Sequence, residues 1–328
     1  MVRGFEDVWR PPSSLSRAWP EERYRPPRDL RARLARLVRK APEVMVKVTG
    51  RTRDPSHLEA HLRYITRNGE LPAEGAAGLL CDDRDAMLDL AKDWAFRNLA
   101  DSHRRRGAPF SVSLLLSMPA GTDPHKLQDA ARAFAEQTFG ARFDYVFALH
   151  TDTPHPHVHL SVCAAGAGGV RLNPKKADLE AWRQLFAREL RARGVEAEAT
   201  PRRARGVTRK SERTPLRKLR ERAEAGRGGF SRVHRAGLID AVRQRSSEST
   251  GPWMASLAAR RIRTAALYAA QARLMLTSSD RADRQLADRV MAWLETMPSA
   301  ETLRDKRARE VSGRAPQRSG HIERSPRR

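Results

Sequence analysis

The chain is poor in cysteine, in aromatic side chains and in acids relative to bases. Its two cysteines, Cys81 and Cys163, stand far apart among 328 residues and form no CxxC pair. That excludes a cysteine-built zinc site and fits a reducing cytoplasm. No run of about 18 apolar residues occurs, so no transmembrane helix and no membrane insertion are expected. No apolar segment follows the early charges, so no secretory leader is expected either. Acids number 39 against 63 Lys and Arg, a formal net charge of +24. Such an excess is silent about fold but informative about partners. Lys and Arg that neutralise phosphates release condensed counterions, which favours nucleic acid over an acidic membrane surface. Most of the excess is arginine, whose planar fork suits bidentate phosphate contact.

The length suggests two modest domains. Residues 1–42 read as a basic arm rich in Arg and Pro, with a short basic helix within Asp29 to Lys40. Residues 43–196 read as a compact α+β domain. A strand is expected around EVMVKVT, then a helix over 54–69 that opens on Asp54 and Pro55 and closes at Gly69. A second helix is expected from Arg84 to about His103 and a buried strand over 109–119. Asp123 and Pro124 start a helix running to about Phe139. Strands follow over 144–152 and 155–166, and a last helix runs from about Asp178 to Arg193. Residues 197–232 read as a basic linker without fixed structure. Residues 233–300 regain helical spacing, as a small bundle or hairpin, and 301–328 form a basic tail.

The densest chemistry lies in HTDTPHPHVH, residues 150–159. Four of the chain's ten histidines fall here. Residues two apart on a strand share a face. His155, His157 and His159 therefore point one way, while Val158 and Leu160 point into the core. His150 and Asp152 end the preceding strand, and pairing of the two strands brings His150 to His157 and His159. Three imidazoles on an open sheet face can hold a divalent ion and leave positions for substrate oxygens. A lone strand histidine is usually only solvated, but this clustering points to a metal or phosphate site. Asp152 is either a ligand or a residue that orients a ligating imidazole.

This block resembles the third motif of the relaxase/mobilisation nuclease family, plasmid relaxases related to the nicking protein of T-DNA transfer and part of the wider HUH endonucleases. His150, Asp152, His157 and His159 fall in register with that motif, with Val158 as the hydrophobic residue between two histidines. Some members carry Asn in the gap that is Thr-Pro-His-Pro here, which leaves His155 as a phosphate contact or a solvated residue. HLRYITRNGEL (61–71) resembles the first motif and puts Tyr64 in the nucleophile's place. Of the chain's four tyrosines, Tyr24 lies in the arm, while Tyr145 and Tyr268 suit core positions. A phenol ordinarily ionises near pH 10, and Arg63 and Arg67 would favour the phenolate and attract phosphate. His57 and His61 stand one helical turn apart but lack strand support as ligands; His61 is close enough to assist Tyr64. SLLLSMPAGTD (113–123) resembles the second motif, with Ser117 contacting DNA. In the segment after the histidines, Arg171, Lys175 and Lys176 would line the DNA path as phosphate contacts.

The resemblance covers about residues 44–200. It implies a central antiparallel sheet of HUH type with flanking helices, followed by a basic linker and a helical C-terminal region. It also implies Mg²⁺ or Mn²⁺ at the histidines and single-stranded or locally melted origin-of-transfer DNA as substrate. The reaction would be tyrosine transesterification in a bacterial cytoplasm, served by a type IV coupling protein and an accessory DNA-binding protein. The rivals are a non-catalytic nucleic-acid-binding protein and a histidine-triad nucleotide hydrolase, which HPHVHLS matches superficially. Replication initiators and transposases of the HUH class usually place the tyrosine after the histidines, whereas Tyr64 precedes them.

Overall fold

The computed structural model of the chain describes residues 28–78, 80–81, 83–206, 212, 214–243, 252–298 and 307. Along the chain the helices are α1 (Arg28–Val38), α2 (Pro55–Ile65), α3 (Arg84–Ala100), α4 (Pro124–Ala135), α5 (Lys176–Ala192), α6 (Thr214–Glu224), α7 (Arg232–Arg243), α8 (Pro252–Leu276) and α9 (Arg281–Glu295). The strands are β1 (Met45–Thr52), β2 (Ala73–Gly75), β3 (Leu80–Cys81), β4 (Ser111–Ser117), β5 (Tyr145–His150) and β6 (His157–Cys163). The described residues fall in two compact units, one within residues 39–199 and the other combining residues 28–38 with those from 200 onward.

All six strands form one antiparallel sheet in the first unit, in the order β1-β4-β6-β5-β2-β3. This is the α+β arrangement expected, with the two strands carrying the histidine block side by side at its centre. One face carries Val46, Leu114, Leu116, Phe147, Val158, Leu160 and Val162, packed against Phe134 of α4 and Phe186 and Leu190 of α5. The other face carries Val146, Ala148 and Cys163 beneath Leu58, Leu62 and Ile65 of α2 and Trp94 of α3. The histidines of β6 alternate with Val158 and Leu160, so they too belong to this second face, at the end where β6 begins.

Several boundaries differ from the expectation, each for a local reason. The helix expected over 54–69 stops at Ile65, because Arg67, Asn68 and Gly69 all take positive φ (50°, 60° and 96°). The helix expected to begin near Asp178 begins at Lys176, and the Asp178 carboxylate accepts the Lys175 backbone N–H at 2.7 Å. The helix expected to reach Phe139 ends as a π turn over Glu136–Gly140. β2 and β3 were not expected, since three and two residues are too short to show an alternation.

A β-carbon on Gly69 would lie 2.8 Å from the backbone nitrogen of Arg84. Gly69→Ala therefore meets both a forbidden φ and fixed backbone. We expect a loss of about 1–3 kcal/mol and a fall of several degrees in Tm, read by thermal circular dichroism. An unchanged Tm would show that this turn tolerates a side chain.

In the second unit the basic helix expected near Asp29 to Lys40 forms as α1. Its Leu30, Leu34 and Leu37 repeat at helical spacing and join Tyr268, Met275, Leu286 and Val290 of α8 and α9 in one core. Arg31 pairs with buried Asp283 at 3.1 Å. The stretch read as a linker contains α6. No helix among the described residues is long and apolar enough to cross a membrane.

Candidate active site

α2 carries the tyrosine and is held at both ends. Asp54 caps its start by accepting the His57 N–H at 2.7 Å, with Pro55 at the first helical position. Leu58, Leu62 and Ile65 are fully buried on the sheet, worth about 1.5–3 kcal/mol each. Tyr64 follows Leu62 and precedes Ile65, so it projects from the rim of that contact and is 64% exposed. Its ring meets the His159 ring edge-on, with centroids 5.7 Å apart. Tyr145 and Tyr268 are buried, at 5% and 0% exposure.

Strand register brings the other groups together. His150 pairs with His157, and Ser117 on β4 pairs with His157 from the other side. The ring centroids of His150, His157 and His159 lie 4.6 to 5.3 Å apart. One nitrogen from each ring falls within 4.8 Å of the other two. Their outward hydrogen bonds select which nitrogens remain. The Ile65 carbonyl, 2.7 Å from His150 Nε2, can only accept, so that nitrogen carries the proton and Nδ1 is left free. The His155 carbonyl, 3.0 Å from His157 Nδ1, likewise leaves Nε2 free. Burial, reinforced by the neighbouring imidazoles, pushes His159 down to about 4, so it is neutral at pH 7. Three imidazoles whose ligand nitrogens lie within 4.8 Å of one another, two of the rings oriented by carbonyls, fit a divalent cation.

Asp152 does not join this cluster. Its carboxylate pairs with Arg67 at 2.7 Å, so the charge expected to meet phosphate and the carboxylate expected near the imidazoles engage each other. Together with the bond from His150 to Ile65, the pair ties the end of α2 to the end of β5. Both side chains are more than 40% exposed, which limits the pair to about 0.2–1 kcal/mol. Arg63 bonds to Asn68 and faces Glu59 on its own helix. The Ser117 hydroxyl donates to the Pro156 carbonyl at 3.1 Å, and His155 Nδ1 accepts the Ala120 N–H at 3.1 Å. These two bonds fasten the turn after β4 to the segment leading into β6, which sets where β6 starts.

The remaining basic residues lie elsewhere. Arg171 pairs with Asp101 and donates to Asn98 at 2.9 Å and the Pro109 carbonyl at 2.7 Å, beyond the Cys163 end of β6. Lys175 and Lys176 begin α5 next to the cleft lined by Phe143, Asn173 and Trp182, at the end of the sheet opposite His150. Sequence reasoning missed Ser113, whose hydroxyl lies 2.7 Å from His61 Nε2 and seats α2 on β4. The alternation Ser111, Ser113, Ser117 was its only signal.

A His-hydrophobic-His pair on the central strand is thus completed by a neighbouring strand's histidine and faced by a tyrosine, the arrangement that the resemblance to HUH nucleases implied. Residues 64–195, from the tyrosine through all three histidines, match the relaxase family model described as MobA/VirD2-like, nuclease domain. The T-DNA border endonuclease VirD2 of Rhizobium radiobacter is 25% identical over 183 residues, 50% of this chain and 43% of that protein. The protein of the same name from Agrobacterium fabrum is 25% identical over 184 residues, 51% of this chain and 41% of its own length. The alignments thus cover less than half of either relative.

Proposed function

We propose that the chain nicks one strand of single-stranded or locally melted DNA at an origin of transfer and holds the new 5′ end covalently. The observation that carries this is the placement of Tyr64, with an exposed ring against His159 and a hydroxyl that makes no hydrogen bond among the described residues. The Tyr64 oxygen attacks the scissile phosphorus and its proton passes to solvent. The Tyr64–phosphorus bond forms as the bond to the 3′-oxygen breaks, and that oxygen takes up a proton. The phosphotyrosine conserves the ester for later rejoining. His150, His157 and His159 would hold Mg²⁺ or Mn²⁺, which when bound draws charge from the phosphate. Asp152 and Arg67 hold the nucleophile's helix, and Ser117 and His155 hold the turn beside His157. Lys175 and Lys176 would meet DNA only beyond the reaction site. The product is suited to delivery by a type IV coupling protein, after an accessory protein has melted the origin.

The test uses supercoiled plasmid carrying the DNA that flanks the chain's own gene, incubated with the protein and Mn²⁺, then denatured and digested with protease. Open circles with a peptide-blocked 5′ end support the reading. DNA binding without strand breakage, on DNA that contains the origin, favours a non-catalytic accessory protein instead.

Asp152 separates a positioning role from a basic one. A general base contributes about 10²–10⁴ in rate. Asp152→Asn is expected to slow nicking less than about tenfold, and the charge swap Arg67→Asp with Asp152→Arg to recover most of that loss. A loss of about a hundredfold or more without recovery in the swap would make Asp152 a participant in proton transfer.

A further inference from the structure

β1 is the edge strand beside β4, and it contains a bulge between Val48 and Gly50. On either side of the bulge the strand is anchored. Before it, Val46 and Val48 pack into the core with α4 and α5. After it, Thr52 bonds to Ser111 at 2.7 Å on the opposite face, the face that carries the histidines. Residues 48 and 52 differ by an even number, so an unbroken alternation would put both on the same face. The extra residue resolves the conflict, and it leaves Met45 and Lys47 on the histidine face. Two rows then cross the sheet: Met45, Ser117, His157 and His150, and Lys47, Leu115, His159 and Ala148. Met45 is 51% exposed, Lys47 is exposed and Leu115 is half-buried. Lys47 has no ion-pair partner among the described residues. Bulges recur beside active sites, where they re-aim side chains.

We propose that Met45 and Lys47 form a subsite for the substrate strand, in which Lys47 holds a phosphate neighbouring the scissile one and Met45 with Leu115 supports its sugar or base. This rests on the relaxase reading and deepens it. Strands lie about 4.8 Å apart, so the two spacings across β4 separate the Lys47 and His159 backbones by roughly 10 Å. That spans one to three nucleotides at about 3.4 Å of rise each, or more when the strand is stretched. Met45 is exposed between the buried Val44 and Val46, and its thioether suits irregular apolar surface. Residues 64–195, which match the relaxase model, exclude β1, so the subsite is a property read from this chain's own register.

The test measures binding of a fluorescein-labelled single-stranded oligonucleotide from the nicked region, with Mn²⁺, to full-length wild type, Lys47→Ala, Lys47→Glu and Lys92→Ala. Lys92 lies on α3 and pairs with Asp89. Tyrosine adduct formation is followed in parallel. Lys47→Ala is expected to weaken binding about three- to tenfold, Lys47→Glu further, and the dependence of log affinity on log salt to fall by roughly 0.7. Lys92→Ala should bind as wild type. If both Lys47 variants bind like Lys92→Ala, with melting temperatures unchanged, the subsite is refuted even though wild type forms the adduct. If Lys47 governs binding but wild type never forms an adduct, the strand contact stands and the nuclease reading fails.

Discussion

Tyr64→Phe is expected to remove the covalent protein–DNA adduct completely and to lower nicking by at least about a thousandfold, because among the described residues Tyr64 is the one exposed tyrosine. The variant is a clean one. Phe keeps the ring that meets His159, and the hydroxyl it deletes has no hydrogen-bond partner among the described residues. Its melting temperature and oligonucleotide affinity should therefore match wild type, and only chemistry should change. The buried positions of Tyr145 and Tyr268 keep them from substituting. Nicking that persists in Tyr64→Phe with an unblocked 5′ phosphate would mean that water is the nucleophile. The tyrosine would then be only a wall of the site.

His159→Ala should produce the second large effect, on metal binding rather than on the nucleophile. His159 is the histidine nearest the tyrosine and lies within 5.1 Å, centroid to centroid, of both other rings. Removing one of three imidazoles is expected to weaken Mn²⁺ binding by about a hundredfold or more, measured by titration calorimetry. A second readout needs no DNA. A hundredfold excess of ion over its dissociation constant stabilises the wild type by about 2.7 kcal/mol, seen as a rise in Tm that His159→Ala should lack. His155→Ala, whose ring instead accepts the Ala120 N–H, should retain the rise. Equal Mn²⁺ binding in wild type and His159→Ala would move the metal site away from these histidines.

The elements that were legible in the sequence had either strong punctuation or strong alternation. Asp54-Pro55 and Asp123-Pro124 announced helix starts that the caps realise. The alternation of His157, Val158, His159 and Leu160 announced one polar and one buried face. The convergence of His150 on His157 and His159 needed only the assumption that neighbouring strands pair. What could not be read was anything decided by an unpunctuated third partner. Arg67 was expected to face phosphate, and its pairing with Asp152 depends on three consecutive positive-φ residues that bend the chain back over β5. Arg171 was expected along the DNA path, yet Asp101 and Asn98 hold it in contacts 70 and 73 residues distant in sequence. The face on which Met45 and Lys47 lie turned on a one-residue bulge, which leaves no mark in hydrophobic periodicity.

The rim position of Tyr64 has a topological corollary. The exposed Tyr64 ring and the half-exposed His157 and His159 lie at the surface of the domain. A strand reaches such a site from the side, by being laid down, and needs no free end to thread. Closed circular DNA is therefore as admissible a substrate as a linear fragment, provided the strands are parted locally. In the proposed reaction only the 5′ end is held, so the free 3′ end could swivel about the intact strand and superhelical tension would drain away while the 5′ end stays attached to protein.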